Sequence, residues 1–185
     1  MALSSCLPDS INSRLYFVPV FETISNHSSF LLSKVMSMSE FRGVDFYRID
    51  DLLSEVQQIL VQVSKEPLGT KGTGITSHTT LPGRYLVYMP TVEHVGGSRR
   101  IREEKERRRL KEIIQSIKPP SGGFIVRTAS EGAEPDEIRN DMEFLLRLWN
   151  NIQKKKETSP APSLIHNDLT MVLRVIRDIL SPHVN

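Results

Sequence analysis

Three stretches of the chain space their apolar residues at intervals of three and four, the signature of amphipathic helices. In Ile101–Lys118, Leu110, Ile113, Ile114 and Ile117 fall on one face, and Pro119-Pro120 stops the helix. A second helix begins at Pro135, a favoured first position, and runs to about Lys154 with Ile138, Met142, Leu145, Trp149 and Ile152 on one stripe. Trp149 reads there as a core residue, and Lys154-Lys155-Lys156 sit where cations suit the helix dipole. A third helix is predicted behind an Asp168 cap, with Leu169, Val172, Leu173, Ile176 and Leu180 inward. Ser159-Pro160-Ala161-Pro162 reads as a stiff connector between the second and third.

Shorter apolar runs bounded by turn residues read as strands. These are Ile59–Val63, Arg84–Met89, which Pro82-Gly83 opens and Pro90 closes, and Gly123–Val126, opened by Ser121-Gly122-Gly123. Ile49–Leu53 reads as a helical turn, and Ser64–Gly74 as a polar loop carrying Lys65 and Lys71. The expected fold class is α+β, a small sheet with packed helices. Residues 1–40 differ: they are serine-rich and acid-poor, with no clean period. Leu15–Phe21 and Phe30–Val35 are apolar but isolated, so this segment is expected to be diverged or disordered and poorly packed.

Composition narrows the chemistry. The 185 residues are 38% hydrophobic, enough for one compact domain or two small ones. A net charge of +2 gives the whole chain no nucleic-acid signature, so local charge must carry any such role. One cysteine, Cys6, rules out an internal disulfide framework and a Cys-based zinc site within the chain, and five scattered histidines show no metal-ligand spacing. No apolar run has the length of a membrane span. A basic start, an apolar stretch and a small-residue cleavage site do not occur together, so a secretory signal is not expected. The location expected is cytoplasmic, with only a faint organelle-targeting character in the serine-rich start.

The candidate chemistry sits where Gly123–Val126 ends, at Arg127 and Thr128. A guanidinium fork gives a phosphate two charge-assisted bonds and a neighbouring hydroxyl gives a third. The structural alternative pairs Arg127 with Glu131 or Glu134 and makes Thr128 a strand end. The charge run Arg99–Arg109 reads as a solvated helical face, since Glu103 and Arg107, and Glu104 and Arg108, stand at i,i+4 in the favourable order.

From about Asp51 to Leu180 the chain resembles the N-terminal half of the ribonuclease E/G family. The resemblance rests on segments in the right order: Ile59–Pro67, Gly69-Thr70-Lys71-Gly72, Leu81–Val87, Ser98-Arg99-Arg100-Ile101, Ile125–Ala129, Ala161–Ile165, Val172-Leu173-Arg174 and Arg177-Asp178. It implies a protein of RNA processing and decay that acts on single-stranded RNA. It also implies a division of the chain. Residues 41–77 would be the end of an oligonucleotide-binding barrel, 78–170 an RNA 5′-sensor domain, and 171–185 the start of a ribonuclease-H-like subdomain. Arg127 and Thr128 match the pair that grips a 5′-terminal monophosphate. Gly83 and Val87 match positions that approach the terminal nucleotide, the glycine by close backbone approach and the valine by an apolar surface. Arg99 and Arg100 match an arginine pair beside the pocket, as ligand contacts or as helix-start scaffolding. Lys65 and Lys71 match basic positions expected to meet backbone phosphates.

The departures bear on activity. Residues 1–40 show none of the Gly-rich, alternating strands of the family's barrel, and Gly74 stands where the family usually has arginine. The family's magnesium-holding aspartates, its paired zinc-link cysteines and a further pocket arginine match nothing before Asn185. The expectation is therefore an RNA-binding fragment with no catalytic or metal-holding residue and no cofactor of its own, inactive as a nuclease alone. The expected partner is single-stranded RNA with a 5′-monophosphate, with no DNA or membrane role and no support for oligomerisation. The alternative is a catalytically inert domain that binds protein through its exposed helical faces.

Overall fold

A computed structural model describes residues 14–19, 54, 57–65 and 73–179. Two units emerge, one drawn from residues up to Ser77 together with Thr158–Asp168, the other from His78–Glu157 and from Leu169 onward. The described residues form a mixed α+β structure with two four-stranded sheets and three α-helices.

The first unit is an antiparallel sheet of β1 (Arg14–Pro19), β2 (Gln58–Lys65), β3 (Gly74–Thr76) and β8 (Ser163–Asn167), in the order β3-β2-β1-β8. β2 is the strand expected at Ile59–Val63, one residue longer at its start and two at its end. Tyr16 faces Val61 across the ladder, and these two form a buried cluster with Val63, against which Ile59 and Ile75 pack. At residues 14–19 the structure departs from the expectation that this segment is poorly packed. Arg14–Pro19 is an ordered inner strand, and Leu15, Tyr16 and Phe17 are buried. β2 and β8 flank it and take up its hydrogen-bonding edges on both sides. Ile49–Leu53, Lys71 and the remainder of residues 1–40 lie outside the described residues.

The sheet of the second unit runs β4-β5-β7-β6. Its strands are β4 (Leu81–Pro82), β5 (Leu86–Met89), β6 (Val95–Gly97) and β7 (Gly123–Val126). β5 pairs antiparallel with β4 and β7, whereas β6 lies parallel to β7. Period-2 alternation sends Leu86, Tyr88, Phe124 and Val126 into the core, with the Tyr88 and Phe124 rings stacked 4.9 Å apart. The glycine turn before β7 has two separate causes. Gly122 holds φ +83, and a Cβ on Gly123 would come within 2.3 Å of the Val92 carbonyl oxygen.

Helix α1 (Glu104–Ile117) packs over β6 and β7 and buries Leu110 and Ile114. Glu104, not the expected pair of glutamates, serves both Arg107 (3.4 Å) and Arg108 (3.3 Å). Helix α2 (Pro135–Thr158) buries Ile138, Met142, Leu145 and Ile152, while Trp149 is half-buried. Each such aliphatic side chain stabilises the fold by ~1.5–3 kcal/mol.

Helix α3 (Met171–Ile179) departs from expectation in two ways. It starts after Thr170, whose Oγ1 accepts the Leu173 N–H (3.5 Å), so Asp168 is not the cap. None of its residues is buried, and Val172, Leu173 and Ile176, expected inward, are exposed along with Leu169. Leu180 lies outside the described residues. The connector after Ser159 leads into β8, an element absent from the sequence reading. β8 pairs with β1, and Thr158–Asp168 groups with the first unit.

Candidate functional site

The site grows from a turn whose two polar edges are held by opposite charges. Between β4 and β5 the chain reverses through Gly83, Arg84 and Tyr85, closed by the Gly83 N–H to the Leu86 carbonyl (2.8 Å). The amides of Arg84, Tyr85 and Leu86 all point at Asp141 of α2, whose carboxylate accepts them at 3.1, 2.9 and 2.9 Å. The carbonyls of the same turn point at arginines. Pro82 accepts from Arg177 Nη1 (3.0 Å), Gly83 from Arg127 Nη1, and Arg84 from Arg127 Nη1 (3.0 Å). An anion on the N–H side and cations on the C=O side follow the peptide dipoles, and charged partners strengthen each bond.

This arrangement gives Gly83 a reason that the resemblance did not supply. A Cβ there would stand 2.5 Å from the Asp141 carboxylate. Gly83 is buried, and its lack of a side chain lets Asp141 reach the turn. Val87 is half-buried on β5, opposite Ile125 of β7.

Arg127 and Thr128 stand where β7 ends. The Arg127 N–H bonds the Tyr85 carbonyl (2.8 Å), and Ser130 Oγ donates to that same oxygen (2.6 Å), so the strand end is pinned to the turn. Thr128 opens a 3-10 turn, Thr128–Ser130, and its Oγ1 lies 3.0 Å from Ser98 Oγ. Ser98 donates its N–H to the Val126 carbonyl (2.9 Å), and its Oγ accepts the Arg100 N–H (3.2 Å). An open depression of about 490 Å³ lies here, lined by Ser98, Arg100, Arg127, Thr128, Ala129 and the β7 residues Ile125 and Val126.

Neither expected partner of Arg127, Glu131 or Glu134, takes the guanidinium. Asp178 of α3 does, with Oδ1 3.0 Å from Nη1 and Oδ2 3.1 Å from Nη2. Arg177 Nε donates to the same Oδ1 (2.9 Å) and its Nη2 to Oδ2 (3.3 Å). Hydrogen bonds first from Arg127 and then from Arg177 hold the Asp178 carboxyl well below the usual carboxylate range.

Of the residues singled out in the sequence, Arg100, Arg127 and Thr128 line one depression, with Gly83 bound to Arg127 and Val87 paired opposite a lining residue. Arg99 is exposed and not among the lining residues. Lys65 is exposed at the end of β2 in the first unit, and Lys71 is outside the described residues. Ser98, Asp141 and Asp178 had no assigned role in the sequence. Ser98 carries a weak signal, a hydroxyl just before an arginine pair, whereas the two aspartates reach the site only through the fold. Among the described residues no three His, Cys, Asp or Glu side chains gather where they could hold a metal ion. Magnesium and zinc, which the resemblance associates with the family, find no fitting donor set among the described residues. No helix among the described residues is long and apolar enough to cross a membrane.

Residues 80–185 match the model of the Ribonuclease E/G family. The chain is 46% identical over 136 residues to "Ribonuclease G" of Haemophilus influenzae, an alignment covering 74% of this chain and 28% of that protein. It is 42% identical over 130 residues to "Ribonuclease G" of Escherichia coli strain K12, covering 70% of this chain and 27% of the relative. It is 44% identical over 137 residues to "Ribonuclease E" of a Nostoc species, covering 74% of this chain and 20% of the relative. The matched part thus spans about a quarter of these relatives' length or less. The chain belongs to the ribonuclease E/G family.

Proposed function

We propose that the second unit binds single-stranded RNA by its 5′-monophosphate, as the 5′-sensor portion of a ribonuclease that processes RNA. The observation that carries this reading is that Arg100, Arg127, Thr128 and Ser98 line one open depression, with the Thr128 and Ser98 hydroxyls 3.0 Å apart. A phosphate dianion needs charge and several donors at once, and these groups supply both. Ile125 and the neighbouring Val87 offer an apolar surface for the terminal nucleoside. In this reading residues 78–157 form the sensor, the first sheet is what remains of an oligonucleotide-binding barrel, and α3 begins a ribonuclease-H-like subdomain. Lys65 adds salt-sensitive affinity for backbone phosphates without sequence information. The names of the relatives, Ribonuclease G and Ribonuclease E, agree with an RNA partner.

The exposed apolar residues of α3, among them Met171, Val172 and Ile179, favour a second reading, a domain that docks on protein. One experiment separates the two, a competition titration of 5′-monophosphate against 5′-hydroxyl oligonucleotides of one sequence. A sensor prefers the monophosphate, and a protein adaptor has no such preference. Arg127→Ala should weaken the monophosphate RNA roughly ten- to a hundred-fold and leave the hydroxyl RNA nearly unchanged. Thr128→Val should cost less. Equal losses for both RNAs would show that Arg127 supports the fold and does not read the 5′ end.

A further inference from the structure

A guanidinium carries five N–H donors in a fixed plane, and which of them remain available decides what it can bind. In Arg127, Nη1 is fully engaged by the Gly83 and Arg84 carbonyls and by Asp178 Oδ1. One Nη2 hydrogen goes to Asp178 Oδ2. Among the described residues the Nε–H and the second Nη2 hydrogen take no protein acceptor. These two lie along one edge of the fork, the edge that grips two oxygens of a phosphate side-on.

Asp178 makes that arrangement electrostatically tolerable. Arg127 and Arg177 both reach the carbonyls of the Pro82–Arg84 turn, and without an anion between them two like charges would meet there. The carboxylate accepts from both, so the three groups together keep a net single positive charge. The Asp178 side chain is 35% exposed and that of Arg127 27%, a half-wet setting in which a single pair would be weak but a three-member network is better held.

We infer that Asp178 is a positioning residue: it occupies the Nη1/Nη2 edge of Arg127, orients the guanidinium plane, and leaves the Nε edge to the 5′-phosphate. The inference rests on the 5′-phosphate reading given above and adds to it a residue 51 positions away on another element. It also gives α3 a role at the site, since its polar end meets the sensing arginine while its apolar residues stay exposed.

The test compares wild type, Asp178→Asn and Asp178→Glu in the full chain, using paired 5′-monophosphate and 5′-hydroxyl oligonucleotides and thermal melting. Asn is nearly isosteric but lacks the charge and puts an NH₂ group where the guanidinium needs an acceptor. In Asp178→Asn the monophosphate-to-hydroxyl affinity ratio should fall about tenfold, with hydroxyl binding unchanged. Asp178→Glu keeps the charge but moves the carboxylate out by one methylene, and its ratio should fall less, about threefold. Asp178→Glu, which keeps the charge, should melt close to wild type, whereas Asp178→Asn, which leaves Arg127 and Arg177 without their shared anion, should melt lower. In whichever variant folds, a ratio that is unchanged would overturn the inference. A ratio that rises would also overturn it, by showing that the carboxylate competes with phosphate for Arg127. Equal weakening of both RNAs would mark a structural role only. A wild type without monophosphate preference would defeat the 5′-phosphate reading itself, and the role of Asp178 with it.

Discussion

Helices α2 and α3 carry the same kind of sequence pattern and meet opposite fates. Each places apolar residues along one face, and each was expected to turn that face inward. In α2, Ile138, Met142, Leu145 and Ile152 are buried. In α3, Met171 is 73% exposed, Val172 67% and Ile179 67%. Periodicity states that a helix has a face to cover, but it does not state which part of the structure covers it. The two helices also serve the same turn differently. α2 holds its amides through Asp141, within a helix anchored by its core, whereas α3 reaches its carbonyls and Arg127 through Arg177 and Asp178.

This contrast can be broken most sharply at the two apolar faces. Leu145→Ala should destabilise the chain by ~2–5 kcal/mol in urea denaturation, since the side chain is fully buried. Ile176→Ala on α3 should stay within ~0.5 kcal/mol. Comparable losses would mean that α3 is covered after all.

The polar attachment of α2 comes next. Asp141→Ala leaves three turn amides without their acceptor and should cost roughly 2–3 kcal/mol. Gly83→Ala should cost about 1–3 kcal/mol in the wild type, because the new methyl meets the Asp141 carboxylate. In an Asp141→Ala background that cost should shrink. A double-mutant cycle reads the coupling, and strict additivity would separate Gly83 from Asp141.

A smaller effect concerns acid sensitivity. Glu106 of α1 holds Arg109 through two 2.7 Å bonds and accepts the Gly132 N–H at 3.0 Å, fastening α1 to the Glu131–Glu134 turn. The Arg109 hydrogen bond first, and the Gly132 amide second, lower its pKa from 4.5 to about 2. A depressed folded-state pKa contributes stability that is present above about pH 4.5 and is lost as the pH falls through about 2. Glu106→Gln should therefore lower stability at neutral pH and flatten its decline in that window, as read by denaturation at pH 7 and pH 3. An unchanged slope would mean that the pair does not contribute.

How far the sequence revealed this molecule depended on element length and on distance along the chain. Gly123–Val126 was legible to the residue because glycines and an arginine bound it, and α1 and α2 were legible because they are long enough to show their period. The strands Val95–Gly97 and Ser163–Asn167 were missed. Three residues carry no period, and five that follow a proline-rich connector read as its continuation. The cap of α3 was displaced by two residues because Asp168 and Thr170 are both good caps and only the backbone chooses between them. At the site, Arg127 and Thr128 could be picked out because they are adjacent. Asp141 could not, since it reads locally as an ordinary helix-surface acid, and Asp178, though part of a segment that carries the resemblance, had no role assigned to it. The partners of Asp141 lie 55 to 57 positions away, and Arg127 lies 51 positions from Asp178.

Amide and arginine side-chain NMR reads whether the Arg127–Thr128 depression recognises a 5′-terminal phosphate. On addition of a short 5′-monophosphate oligonucleotide to the intact chain, the Ser98, Arg100 and Thr128 amides and the Arg127 Nε–H should shift. The same oligonucleotide with a 5′-hydroxyl should leave those four resonances in place. Identical shifts with both oligonucleotides, or shifts confined to residues away from the depression, would contradict the account.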